Sequence, residues 1–448
     1  MCVRKLATQR PFQEAMIPWW VFPLQTWKGW TISSLNMRQG DKRELINELN
    51  SGTELNADGN IAFTAHDDRD LFYLLADGIT YPDSITRMDA SAISHRSFLD
   101  LRKSGEVSRK PLISEIASRV GALESAPRRK YTMWTKCRLR SMTFAKTVRF
   151  DVKGVAIRTS RHLPKWLQLS EHFISGIGRV RPNALPFYGY LIFSVEARNE
   201  NEASTKIFAA ADLLFAIANT SKRSLELWTQ RVPSAFLWLG PHQFFFEDRR
   251  FIGDDHVWYN QNFDEDIWNR FPKDARDFVH GAPFIRRIVR KLADHPLCAQ
   301  LESSLLLINE GMTSVDLSFR LMRFWSAAEA LYAPSDDRTS ANRLISRLTF
   351  ASGPNEWLDK IKLERCYHLR NLYVHRGSND SDDTSLVQHL RELLLRQIYY
   401  YLFNGDDFES HTDLLMMVDL PTGEQTLLRR KLAIDRRLSF ARCGRHRP

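Results

Sequence analysis

The sequence predicts an α+β protein, a mixed α/β N-terminal part followed by an all-helical C-terminal bundle. Three observations lead there: apolar and polar residues alternate from Lys130 onward, apolar residues recur at helical spacing after Leu297, and strand signals disappear after about Pro283. At 448 residues the chain exceeds one ordinary core. The expected division is 1–285 for the α+β part, 286–405 for the bundle and 406–448 for a basic tail.

The elements follow in chain order. DKRELINEL and DDRDLFYLLADG have helical spacing, as does SRKPLISEIASRVGALE after its early proline. From Lys130 to Ser141 the alternation puts Tyr131, Met133, Cys137 and Leu139 on one face and Lys136, Arg138 and Arg140 on the other. Val148, Phe150 and Val152 continue it against Arg149 and Lys153, which suggests a strand pair with a basic outer face. That face fits either a solvated sheet surface or a surface for RNA or another ligand.

Tyr190 to Ala197 reads as a buried strand, Ser204 to Ala218 as a helix apolar nearly all round, and Phe236 to Leu239 and Gln243 to Glu247 as further strands. Trp228, Trp238 and Phe244 to Phe246 fit a core better than a binding box. In the last third, Leu297 to Ile308 opens the bundle. Thr313-Ser-Val-Asp316 matches a capping box ahead of the stripe Leu317, Leu321, Phe324, Trp325, Ala328 and Leu331. Helices over Ala341 to Phe350 and from Pro354 toward Gly377 follow. Asp382 or Asp383 then caps a last one, striped by Leu386, Leu390, Leu393, Leu394, Ile398 and Leu402.

Composition narrows the function. The net charge of +10, concentrated in Arg128 to Lys165 and Arg429 to Arg447, favours polyanionic partners. No run approaches the roughly 20 apolar residues of a membrane span. Five scattered cysteines without a C-x-x-C pair suggest neither a disulfide framework nor a zinc site, so a reduced, cytoplasmic setting and no metal or cofactor are expected. His66-Asp67-Asp68 and Asp254-Asp255-His256 fit solvated loops better than metal ligands. There is no phosphate-binding G-x-x-x-x-G-K-[ST] loop, no H-E-x-x-H and no G-x-S-x-G.

One segment carries chemistry: C-Y-H-L-R-N-L-Y-V-H-R-G, from Cys366 to Gly377, holds R-x4-H with Asn after the arginine, namely Arg370, Asn371 and His375. Chance alone supplies about one R-x4-H in a chain this rich in arginine, and Arg290 with His295 is a second match. Requiring the asparagine cuts the chance expectation to roughly one in twenty. Histidine moves protons near neutrality and arginine offers a fork of donors to phosphate, the two needs of metal-free RNA cleavage by the 2′-hydroxyl. Gly377 is a helix stop, which sets His375 and Arg376 in the last turn, where the helix dipole favours positive charge. On a regular helix Arg370 and His375 point about 140° apart. Convergence therefore needs a distorted helix end or a second copy of the chain.

With its surroundings, from Asp294 to Phe403, the motif resembles the HEPN superfamily, and within it the Apea-like branch of bacterial anti-phage and abortive-infection proteins. FWSAAEALY (Phe324 to Tyr332), NRLISRL, RNLYVH and the closing QIYYYLF carry the resemblance. It implies a metal-independent endoribonuclease acting as a toxic effector. The HEPN bundle would form a homodimer, so that motifs from two protomers make one RNA-cleaving site, under the control of a regulatory protein or phage trigger. His375 matches the catalytic histidine, Arg370 the invariant arginine and Asn371 the polar residue after it. Glu329 falls on the neighbouring helix without a catalytic role being assigned. Lys136, Arg138, Arg140 and Arg376 are candidates for RNA binding. The alternative is a non-catalytic HEPN dimerisation or RNA-binding module.

Overall fold

A computed structural model of the chain describes residues 39–56, 61–63, 68–140, 147–169, 188–220, 239–252, 257–259, 275–333, 340–350, 352, 356–376, 383–404, 408–420 and 424–444. They form an α+β protein of helices and antiparallel sheets. Contacts divide it into two compact units, one up to Val120 and one from Gly121.

The first unit comprises α1 (Gln39–Ser51), the hairpin β1 (Thr53–Leu55) and β2 (Ile61–Phe63), α2 (Asp68–Asp77), α3 (Arg87–Arg102) and most of α4 (Arg109–Ser125). The three helices expected from spacing are α1, α2 and α4. The hairpin and α3 come in addition. Thr86 caps α3 by accepting from Asp89 N. Arg102, at the other end, donates to Thr53 Oγ1, Thr53 O and Asn50 O at 3.0, 2.8 and 3.1 Å, fastening α3 to the start of the hairpin.

The second unit opens with a seven-stranded sheet. Its strands are β3 (Arg129–Arg140), β4 (Arg149–Val152), β5 (Val155–Ser160), β6 (Tyr188–Ala197), β7 (Leu239–Glu247), β8 (Arg250–Phe251) and β9 (Val257–Tyr259), in the order β4-β5-β6-β3-β7-β8 with β9 also on β7. The segments around Lys130 and Val148 are both strands, yet they do not pair with one another. Lys153 and Gly154 both have positive φ, 52° and 75°, the signature of a two-residue turn that closes β4 onto β5, while β3 lies between β6 and β7. Gln243 to Glu247 and Leu239 belong to one strand, and 236–238 with Trp228 and Trp238 lie outside the described residues.

Both sheet faces are apolar around β3. Tyr131, Met133, Phe193 and Phe245 face α5 (Glu200–Thr220), whose residues are buried almost all round because α7 (Cys298–Thr313) covers its far side. On the other face Trp134, Ile192, Phe244 and Phe246 form a second cluster with Leu167, and Trp134 stacks on Phe244 at 4.3 Å. The surface opposite Tyr131 is therefore no solvated basic face at this level. Aromatic residues from three strands fill it.

The bundle consists of α6 (Ala275–Ala293), α7, α8 (Leu317–Tyr332), α9 (Ala341–Thr349), α10 (Glu356–Arg376) and α11 (Thr384–Phe403), joined by α12 (His411–Val418); α13 (Glu424–Gly444) follows. Its core is continuous with that of the sheet. Asp316, not Thr313, caps α8: it accepts from Ser318 N and Phe319 N at 2.8 and 3.2 Å, whereas Thr313 is the last residue of α7. The aspartate reaches two orphan amides, so it displaces the more distant threonine. Gly311 lets α7 and α8 close up, since a Cβ there would lie 2.5 Å from the Phe324 ring. Beyond residue 405, Phe408, Leu414 and Val418 join the core, and Gln425 to Leu438 of α13 are exposed. Among the described residues no helix is long and apolar enough to cross a membrane.

Candidate active site

The R-N-x-x-x-H motif occupies the last two turns of α10, which stays α-helical through Arg376. The helix end is not distorted, so the residues take the directions that regular geometry dictates. Leu363, Cys366 and Leu369 face the core, and Arg370 follows them round to the side that meets α8. There it is half-buried, and its Nη1 donates to Asn371 Oδ1 at 3.1 Å. His375 is exposed in the final turn. Within one chain the structure brings Arg370 and Asn371 together and leaves His375 on the outer face.

Glu329 of α8 completes the inner half of the site. Its carboxylate accepts from Trp325 Nε1 at 3.1 Å, one turn back on the same helix. Burial raises its pKa, and the nearby charge of Arg370 with the Trp325 hydrogen bond holds it down in part. Trp325 in turn packs on Tyr367 of α10, ring centroids 5.4 Å apart. Glu329 is thus an acidic neighbour of the Arg370 guanidinium. Sequence reasoning placed it on the right helix and stopped there; the signal was the i,i+4 pair of Trp325 and Glu329 within FWSAAEALY.

The outer face of α10 has a second property. Trp357, Ile361, His368 and His375 fall on one stripe, with Trp357 and His375 about five turns apart. Trp357, in the first turn of α10, is 64% exposed and Ile361, one turn on, 54%, high values for large apolar side chains on a bundle helix.

The other R-x4-H match is structural. His295 is buried, accepts Leu297 N–H at Nδ1 (2.9 Å) and so must donate from Nε2 to Tyr401 O (3.0 Å), which ties α11 to the turn before α7. Nothing of that ring is left for chemistry.

Of the proposed RNA-binding residues, Lys136 is the one whose side chain is among those described. Lys136 is half-buried on β3, and burial brings its ammonium down to about 8. The pairing register slips between Lys136 and Arg140, so the alternation that aligned Lys136, Arg138 and Arg140 is interrupted by a bulge. The side chains of Arg138, Arg140 and Arg376 lie outside the described residues, as do Gly377, Pro354, the side chains of 66–68, and 254–256.

Near the opposite end of α10 a cleft of about 270 Å³ is lined by Asp359, Lys362, His389, Glu392 and Arg396 among others. His389 Nε2 lies 2.9 Å from Asp359 Oδ1, and burial, then Lys362, lowers the histidine's pKa against the pull of Asp359. No family profile, curated protein or solved structure matches the chain.

Proposed function

We propose that the chain is a metal-independent endoribonuclease of the HEPN type, whose active site forms when two copies juxtapose the outer faces of α10. The observation that carries this reading is the split geometry of the motif: Arg370 and Asn371 held together beside Glu329, His375 exposed in the last turn, all on a regular helix. A two-fold axis across that face sets two His375 rings opposite one another. One takes the proton of the RNA 2′-hydroxyl as its oxygen attacks the adjacent phosphorus. The other gives a proton to the departing 5′-oxygen as the P–O5′ bond breaks. Arg370, steadied by Asn371 and Glu329, offers its fork to the non-bridging oxygens, where charge accumulates. Toxic action in anti-phage defence follows from the same resemblance.

The products test the chemistry. Cleavage is expected to persist in EDTA, to leave a 2′,3′-cyclic phosphate opposite a 5′-hydroxyl, and to spare DNA, which lacks the nucleophile. Binding without any cut would leave the non-catalytic module as the better description, and loss of cutting in EDTA would assign the chemistry to a metal.

Assembly has its own expected result. Trp357 and Ile361 share the His375 stripe, so a second copy that covers it buries both, each contributing on the order of 1–2 kcal/mol. Trp357→Asp with Ile361→Asp should convert a dimer to a monomer in sedimentation velocity and lower cleavage in proportion to the dimer lost. A variant that stays dimeric and fully active would place the interface elsewhere.

A further inference from the structure

Along most of their length α10 and α11 bury apolar residues, Leu363, Cys366 and Leu369 from one and Leu390 and Leu394 from the other, in the shared core. The cleft near the start of α10 breaks that rule. Ionisable side chains line it, Asp359 and Lys362 from α10 and His389, Glu392 and Arg396 from α11. Asp359 stands three residues before Lys362, and Glu392 four before Arg396, the spacings at which a helix ordinarily closes an acid onto a base. Both acids turn elsewhere. Asp359 Oδ1 lies 2.9 Å from His389 Nε2, and Glu392 accepts from Gln388 Nε2 at 2.8 Å. Lys362 and Arg396 make no ion pair or hydrogen bond among the described residues.

The charges are graded by depth. Asp359 is only 7% exposed, Lys362 and His389 are half-buried, and Glu392 and Arg396 are exposed. Two polar atoms of the lining, Ser352 Oγ and His389 Nε2, are shielded from solvent without a hydrogen-bond partner, the contact of the histidine with Asp359 being close but out of line. Burial, then the charge of Lys362, keeps His389 below its ordinary value, so the ring adds no charge at neutral pH. The charged lining is therefore balanced: Lys362 and Arg396 against Asp359 and Glu392, around an open space of about 270 Å³. Water can solvate the rim, whereas shielded polar atoms without partners cost stability until a ligand meets them.

We infer that the cleft binds a small zwitterion, a free α-amino acid, with its ammonium toward Asp359 and Glu392 and its carboxylate toward Lys362 and Arg396. The balance of the lining decides the class. A phosphate would gain both cations and face both carboxylates, and a polyamine would meet the reverse. A ligand that carries both signs a few atoms apart complements all of them at once. The arginine supplies a planar fork for the carboxylate, and the Ser352 hydroxyl can donate or accept. Leu358 and Leu393, also in the lining, leave an apolar wall for the ligand's own side chain. The size agrees, since the cleft falls just below the ~300–1,000 Å³ of sites for drug-sized molecules. A divalent cation is not served, because no three acidic, histidine or cysteine side chains among the described residues converge as metal ligands. The inference is independent of whether RNA is cut.

The test uses the full chain and each standard L-amino acid in turn, read by thermal unfolding and by titration calorimetry. At least one amino acid should raise the wild-type midpoint saturably at millimolar concentration and give a calorimetric isotherm. Acetate and methylammonium, the two charged halves supplied separately, should each bind about tenfold more weakly or worse. Arg396→Gln removes the fork for the carboxylate, and Glu392→Gln removes one partner of the ammonium. Both positions are exposed, so both variants should keep the wild-type midpoint in ligand-free buffer. Each should weaken binding of the amino acid by about tenfold or more. A wild-type chain that binds none of the amino acids at millimolar concentration overturns the inference, as does binding undiminished in either variant. Inorganic phosphate or spermidine binding more tightly than every amino acid would overturn it too, assigning the cleft to an anion or to a polycation.

Discussion

Replacing His375 with alanine is expected to lower RNA cleavage by about a thousandfold or more while leaving the fold intact. The ring is exposed in the last turn of α10 and packs into none of the apolar clusters, so its loss should change stability by no more than about 0.5 kcal/mol. Arg370→Ala should do comparable damage to cleavage through loss of the phosphate clamp. Its stability cost should be larger, about 1 kcal/mol, because it leaves the half-buried Glu329 without its cation. Arg370→Lys restores that cation without the fork, which separates the two effects: stability should return and cleavage should not. Arg290→Ala provides the control of equal spacing, and should leave activity and stability unchanged because its side chain merely returns to Arg286 O on the surface. His295→Ala is expected to loosen the bundle instead, since Leu297 N and Tyr401 O lose their partner. Full activity in His375→Ala, measured on RNA with EDTA present, would remove the motif from the chemistry.

Much of the fold was legible because burial imposes a period. The α8 stripe from Leu317 to Leu331 and the α11 stripe from Leu386 to Leu402 are each one-sided, and both are buried as their spacing requires. The apolar circumference of Ser204 to Ala218 likewise announced a helix covered nearly all round, which α5 is. Failure came where a short-range device overrode the period. The Lys153-Gly154 turn diverted β4 to a local partner, and a bulge interrupted the alternation in β3. Trp134 is the instructive residue: on a strand read as basic outside, it faces Phe244 and Phe246, because those strands come from a hundred residues away and only the register reveals the match.

The site was legible in part for a related reason. R-N-x-x-x-H is contiguous, so one helix presents it whole, and the 140° offset of Arg370 from His375 could be deduced before any coordinates. What contiguity cannot give is the partner across the helix interface. Glu329 owes its interest to a neighbour on another element, and to burial in particular. A charge pattern along the chain carries no such information.

The largest effect on stability is expected at Arg347. Its side chain is 2% exposed, its Nε and Nη2 donate to the Asp419 carboxylate at 2.7 and 2.8 Å, and its Nη1 donates to Tyr332 O. Tyr332 continues the network to Gln397 and Tyr401, each 2.7 Å away, and Gln397 reaches Leu348 O. Arg347→Met leaves a buried carbonyl unpaired and strips Asp419 of its main cation, a loss of about 3 kcal/mol by analogy with other broken buried pairs. Arg343, which also binds Asp419 at 2.7 Å but is more than half exposed, should matter far less, by under about 1 kcal/mol. The acid limb distinguishes this network from packing alone. Hydrogen bonds from Arg347, then Arg343, hold Asp419 at about 2, below its ordinary 3.8. A depressed carboxylate stabilises the fold above its unfolded value and ceases to do so once protonated in both states. The pair should therefore contribute fully above about pH 4 and lose its contribution as the pH falls toward 2. Urea midpoints should accordingly converge between the wild-type chain and Arg347→Met over that window, apart from the unpaired Tyr332 carbonyl. Asp419→Asn should flatten the same limb. A difference between wild type and Arg347→Met that stays constant from pH 7 to pH 2 would mean that the guanidinium acts by filling space, and that Asp419 is a bystander.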